Sequence, residues 1–260
     1  MANAQLQSVL DHIDKDFDNS LQRLFSLLRI KSISADPAFA DDCKAAAEHL
    51  AKDIASLGVA TEVRPTAGHP AVVGKTAAGG RPHVLFYGHY DVQPVDPLDL
   101  WHRPPFEPVV TDHADGRKII VARGAEDDKG QVMTFVEACR AWKKVTGSLP
   151  VDVTFLIEGE EEVGSKNFVP FIEANKDEFK ADYVLVCDTG MWDPNTPAIT
   201  TSLRGLLYEE LKITAANRDL HSGVFGGSAM NPIRVLTKIL GGLFDDDNRC
   251  LLYTSPSPRD

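Results

Sequence analysis

Apolar residues in the first thirty positions recur at three- and four-residue spacing: Leu6, Val9, Leu10, Ile13, Phe17, Leu21, Leu24 and Leu28. That period predicts an amphipathic helix. A second helix is expected from about Asp42 to Leu57, with acids near its start and Gly58 where a C-terminal glycine belongs. Short β-like runs follow at 60–65 and 70–75. Four apolar, β-rich runs then appear in turn, His83–Tyr87, Lys118–Ala122, Val151–Ile157 and Tyr183–Cys187. A helix from about Gly130 to Val145, with Val132, Phe135, Val136, Cys139 and Trp142 on its apolar side, separates the second run from the third. A helical stretch opening at Ser165 and carrying Phe168, Phe171 and Ile172 separates the third from the fourth. Strands alternating with helices predict an α/β fold with a mostly parallel sheet. Ligands bind such sheets beyond the carboxyl ends of their strands.

Beyond Leu203 the pattern changes. An alternating run, Leu207 to Ile213, reads as a strand, Asp219–Gly223 as a loop, and Pro232 as the start of a helix carrying Ile233, Leu236, Ile239 and Leu240. A domain boundary is expected near residue 200. There is no internal repeat and no G-x-G-x-x-G fingerprint.

Composition narrows the function classes. The 260 residues hold 27 lysines and arginines against 38 acids, a formal net charge of −11. That balance argues against a sequence-independent grip on nucleic acid or on an anionic membrane. No apolar run approaches the ~18 residues a membrane span needs. The polar, acid-rich start, Met1 to Ser20, is unlike a signal or transit peptide. Cys43, Cys139, Cys187 and Cys250 are far apart, which fits a reducing, cytoplasmic setting better than a disulfide framework or zinc knuckle.

The residues immediately after each apolar run bear the chemistry. Gly88-His89-Tyr90-Asp91 comes after the first, Glu126-Asp127-Asp128 after the second, Glu158-Gly159-Glu160-Glu161-Glu162 after the third and Asp188 after the fourth. His89 and Asp91 are two apart, so an extended backbone turns both to one side. There the carboxylate can hold the imidazole of a metal ligand; the bland alternative is a surface His-x-Asp without a role. Asp127 and Asp128 precede a helix, where acids favour the first turn. Capping suits Asp128, whereas a carboxylate at this edge can instead bridge two cations. Glu160–Glu162 reads either as a solvated charge run or as a site whose mutual repulsion a dication offsets, one glutamate staying free as a general base. Asp188 is either a loop residue or the completion of the cluster. One imidazole with several carboxylates suits zinc, cobalt or manganese. A pair of such ions activates water for amide hydrolysis.

Gly88–Pro94, Arg123–Gly130, Glu158–Ser165 and Asp219–Gly223 together resemble the motifs of the M20 metallopeptidases, most closely their cytosolic, carnosinase-like dipeptidase branch. The resemblance spans roughly residues 10 to 248. It implies a zinc-peptidase-like catalytic domain over 1–200 and the start of an inserted α+β lid or dimerisation domain over 201–249. It implies two divalent ions, zinc first, with Asp127 bridging and His89 and Asp188 completing one site. Glu162 would bind the second ion, Glu161 would act as general base and Asp91 would orient His89. His221 would reach a partner subunit's active site and help polarise the substrate carbonyl, which implies a homodimer. The substrate implied is a dipeptide or short peptide. The rival within the fold is an N-acyl-amino-acid deacylase or desuccinylase. Val92-Gln93-Pro94 with Trp101, and the Ser222–Gly227 stretch, favour the dipeptidase branch. The family also places a further metal-binding histidine and a carboxylate-binding arginine late in a longer chain. No histidine follows His221 here. Residues 250–260 continue no family pattern and are expected to be a non-native tail. A metal-binding fragment without peptidase activity is therefore the third reading.

Overall fold

The computed structural model describes residues 2–206 and 208–247. The tail at 250–260 and Leu207 lie outside the described residues. The chain divides into two compact units, Met1–Ile199 and Thr200–Asp260.

In the first unit the helical periods are realised. Helix α1 (Ala2–Leu28) buries Val9, Phe25, Leu27 and Leu28, whereas Leu6, Leu10 and Phe17 nearer its start remain exposed. Helix α2 (Ala40–Ala55) buries Cys43, Ala46, Ala47, Leu50 and Ile54, a stripe at 3.6-residue period. Gly58 follows with φ +70°. Helix α3 (Lys129–Thr146) is tied to α1 by Arg23, whose Nε and Nη2 donate to the two carboxylate oxygens of Glu137 at 2.7 and 2.6 Å.

The strands are β1 (Ala60–Arg64), β2 (Ala71–Lys75), β3 (His83–His89), β4 (Val109–Asp112), β5 (Lys118–Val121), β6 (Asp152–Glu158) and β7 (Tyr183–Val186). Five of them form one sheet in the order β1-β2-β6-β3-β7. Its site-bearing part, β6, β3 and β7, is parallel, and β1 and β2 extend it antiparallel on the far side. Helix α3 makes the crossover from β3 to β6, and α4 (Phe168–Ala174) lies between β6 and β7. Every residue of β6 is buried, as a strand covered on both faces requires. Phe86 stacks on Phe135 at 4.2 Å between ring centroids, and Phe155 closes edge-on, fixing α3 against the sheet.

Register sets the site. His89 pairs with Glu158 across β3 and β6, and Tyr87 with Val186 across β3 and β7. The three carboxyl ends therefore lie side by side, with Asp188 two residues past Val186 as His89 is two past Tyr87.

Two expectations need correction. The run Lys118–Ala122 is not a strand of the main sheet. Its residues 118–121 pair with β4 in a separate hairpin. The Asp115-Gly116 turn, with Gly116 at φ +84°, supplies an antiparallel partner only a few residues away, and that local closure wins over a long-range one. The expected strand Leu207–Ile213 is also absent over the described residues 208–213. Leu206 and Tyr208 are almost fully exposed, and without a partner ladder an extended run leaves its backbone groups to water.

The second unit holds the short helix α5 (Ser222–Phe225) and α6 (Pro232–Gly241). Asn231 caps α6, its Oδ1 accepting from the N–H groups of Ile233 and Arg234, with proline in the first turn. Among the described residues no helix is long and apolar enough to cross a membrane, and Cys43, Cys139 and Cys187 are free.

Candidate metal centre

His89 ends β3 and is fully buried. Its main-chain N–H donates to Asp128 Oδ2 at 2.9 Å. A Cβ on Gly88 would stand 2.8 Å from that same oxygen and 2.6 Å from Val132 Cγ2, so the strand needs glycine there for α3 to approach. Asp128 occupies the N-cap position of α3 but makes no capping hydrogen bond. Its carboxylate turns back to the strand instead, correcting the capping role expected for it. The physical reason is burial: at 0 % exposure the carboxylate must find a donor, and among the described residues the His89 N–H supplies it. The Asp127–Asp128 peptide bond is cis.

The His89 ring is held on one side and surrounded on the other. Nδ1 lies 3.2 Å from Asp91 Oδ1 and 3.1 Å from the Asp91 carbonyl oxygen. Nε2 faces three carboxylates from three separate segments: Asp127 Oδ1 at 3.0 Å, Asp188 Oδ2 at 3.7 Å and Glu161 Oε2 at 3.9 Å. His89, Glu161 and Asp188 each place one ligand atom within 4.8 Å of the others. The structure thus brings His89, Asp91, Asp127, Glu161 and Asp188 together. Glu162, in the same 3₁₀ turn (Glu161–Val163), accepts from Gln93 Nε2 at 2.7 Å.

Asp91 joins the histidine to the glutamate turn. Fully buried, its Oδ1 also accepts from the Glu161 N–H at 3.2 Å. Its Oδ2 accepts from the Glu162 N–H at 3.1 Å and from Ser34 Oγ at 2.6 Å. Glu158, opposite His89 on β6, accepts from Tyr87 and Ser165 through Oε1 and braces the far end of that turn.

Burial first, and hydrogen bonds and neighbouring charge after it, set the electrostatics of these groups. Burial raises the carboxyls of Glu161, Glu162 and Asp188 above their ordinary range; nearby carboxylates add to this and His89 opposes it. Burial likewise pushes Asp128 up to about 7. For His89 burial works the other way, yet the hydrogen bond to Asp91 and the charges of Asp91, Asp128 and Glu161 prevail and raise it to about 10. One imidazole nitrogen and several carboxylate oxygens converging from separate segments form a donor set that fits a divalent ion of the zinc, manganese or cobalt kind.

His221 belongs to the second unit. It is exposed and serves as N-cap of α5, Nδ1 accepting from the Gly223 N–H at 3.0 Å. The neutral ring then carries its proton on Nε2. Ser34, Gln93 and Asp128 are the contributors that sequence reasoning left without a site role. Gln93 and Asp128 sit inside the four sequence motifs, whereas Ser34 lies 57 residues from Asp91, where no local pattern marks it.

The profile of Peptidase family M20/M25/M40 matches residues 85–237. Cys-Gly metallodipeptidase dug1 of Schizosaccharomyces pombe is 31% identical over 260 residues, covering 95% of this chain and 54% of that protein. Human Beta-Ala-His dipeptidase is 32% identical over 268 residues, covering 96% and 51%. Among solved structures, the M20 family metallo-carboxypeptidase Sso-CP2 of Sulfolobus solfataricus superposes with a TM-score of 0.70 at 32% identity, covering 92% of this chain and 54% of that one. The chain spans about half the length of the curated relatives it matches.

Proposed function

Because the chain belongs to peptidase family M20/M25/M40, we propose that the protein hydrolyses the peptide bond of dipeptides or short peptides at a two-metal centre. The observation that carries this reading is the convergence of Asp127, Glu161 and Asp188 on the Nε2 of one buried histidine. His89 and Asp188 would hold one ion, Glu162 the second, and Asp127 would bridge them. Two such ions, when bound, supply Lewis acidity at the scissile carbonyl and bring a water's pKa toward neutrality.

The chain's own residues do the rest. Asp91 keeps the His89 ring oriented through Nδ1, which leaves Nε2 for the centre. The same carboxylate holds the Glu161–Glu162 turn by two main-chain N–H groups. Glu161 is the general base: it accepts the proton of the attacking water and returns it to the leaving amine. Burial, by raising its pKa, moves it toward the range a base needs near neutral pH. His221, with its proton on Nε2, is suited to donate a hydrogen bond to the substrate carbonyl, and we assign it that task in the partner subunit of a homodimer.

Likeness to a metallo-carboxypeptidase favours a second reading, removal of a C-terminal residue from longer peptides. The test is a substrate panel on the protein loaded in turn with zinc, manganese and cobalt. It includes Cys-Gly, β-Ala-His, tripeptides, dipeptide amides, and acetyl- and succinyl-amino acids, with release of free amino acid measured. Turnover of dipeptides with a free carboxylate supports the proposal, and faster turnover of tripeptides favours the second reading. Turnover of acyl-amino acids alone overturns both. Metal bound without any turnover marks this chain as a metal-binding fragment.

A further inference from the structure

We propose that Ser34 is a positioning residue of the metal centre, acting through Asp91; the inference rests on the metal-centre reading above. Asp91 is fully buried and carries four approaches on its two carboxylate oxygens. Oδ1 serves His89 Nδ1 and the Glu161 N–H, and Oδ2 serves the Glu162 N–H and the Ser34 hydroxyl. The Ser34 bond is the shortest of the four at 2.6 Å, the length of an O–H donating to a charged oxygen. A single side chain thus sets both the ring orientation of His89 and the placing of the glutamate turn, and among the described residues Ser34 is the one side-chain hydroxyl donating to it.

The segment that presents Ser34 is built to hold it there. Ile33 forms a parallel bridge with Val92. The Val92 N–H donates to Ser32 O at 2.9 Å, and the buried Ser32 hydroxyl donates to Tyr90 O at 2.7 Å. Lys129, buried beside Asp128, donates through Nζ to Ile30 O at 2.7 Å and to Leu27 O at 3.3 Å. The stretch after α1 is therefore laced to the segment that follows His89 and to the start of α3 beside Asp127–Asp128, and its register leaves Ser34 Oγ on Asp91. Ser32 and Ser34 are both anchored to the same motif, but Ser32 meets only main chain whereas Ser34 meets the carboxylate.

That difference supplies the test. Cobalt(II) is titrated into the wild-type chain, Ser34→Ala, Ser34→Thr and Ser32→Ala, with affinity and visible absorption of the bound ion measured, and thermal unfolding of each metal-free variant recorded alongside. Loss of the group that orients a ligand weakens metal binding by roughly 10–100-fold. As the contact is one step further out, Ser34→Ala is expected to lose about tenfold, with an altered absorption spectrum. Ser34→Thr restores both, since the half-buried position keeps a hydroxyl. Ser32→Ala lowers the unfolding temperature at least as much as Ser34→Ala yet binds cobalt as the wild type does. Equal cobalt affinity in Ser34→Ala and wild type overturns the proposal while leaving the centre intact. Failure of Ser34→Thr to restore binding, or equal loss in Ser32→Ala, reduces Ser34 to general packing and overturns it as well. A wild-type chain that binds no cobalt refutes the metal centre itself, and the role of Ser34 with it.

Discussion

Replacing Asp91 with asparagine changes one oxygen to an amide that donates rather than accepts. The amide has two placements. With its nitrogen at the Oδ1 position it would face the Glu161 N–H, a donor that cannot accept, and His89 Nδ1, which accepts only in the tautomer that puts the ring proton on Nε2 and so takes that nitrogen from the metal. With its nitrogen at the Oδ2 position it faces the Ser34 hydroxyl and the Glu162 N–H. The hydroxyl can rotate and accept, so only the Glu162 N–H is stranded. The second placement wins, and its cost is one buried N–H without a partner, about 1–3 kcal/mol. In a unit of this size that corresponds to roughly 2–12 °C in the unfolding temperature of the metal-free chain. Metal affinity falls by about 10–100-fold because the glutamate turn loses half its anchor and His89 loses a charged partner. Asp91→Ala strands several donors together and lowers the unfolding temperature well beyond the asparagine variant. Scanning fluorimetry of chelator-treated protein and a zinc titration read both quantities. If the two variants unfold alike and bind zinc as tightly as wild type, the carboxylate is not the joint between histidine and turn.

Gly130→Ala places a Cβ 2.0 Å from the Ala125 carbonyl oxygen, a main-chain atom with no flexible end to yield. The loop bearing Asp127 must shift, so both the unfolding temperature and zinc affinity should drop; an unchanged titration would show that this loop does not hold metal. Glu161→Gln should retain metal and lose about 10²–10⁴-fold in turnover in a protein that turns over substrate, while Glu162→Gln should lose metal affinity. Metal loss in Glu161→Gln alone would exchange the two roles. The metal-free chain should lose stability between pH 5 and 8. Asp128, raised by burial to about 7, contributes most below its unfolded value and loses that contribution as pH rises through 7; Glu161, Glu162 and Asp188 shift in the same direction. His89, raised from 6.5 to about 10 against the opposing effect of burial, likewise loses its contribution over the upper part of that window and beyond. Zinc should reverse most of this loss, and thermal unfolding at pH 5, 6.5 and 8 with and without chelator checks it; stability that climbs with pH in the metal-free chain would contradict the cause assigned.

Much of the α/β architecture and the candidate site chemistry was legible in local pattern. Helix period, apolar strand runs and the acids and histidine immediately after those runs are encoded within a few residues of each other, because backbone geometry ties side-chain direction to spacing. His89, Asp127, the Glu160–Glu162 run and Asp188 could be grouped on that ground before any coordinates, whereas singling out Glu161 within the run rested on the family resemblance. Which residues support them was decided only by tertiary structure. Lys118–Val121 joined a hairpin because a turn offered it a nearer partner, and Asp128 abandoned helix capping because burial forced its carboxylate onto the His89 N–H. Ser34 meets Asp91 across 57 residues of chain. Contacts of that kind arise from the register of strands and the docking of α1 on α3. They are properties of the packed whole, which no spacing along the chain records.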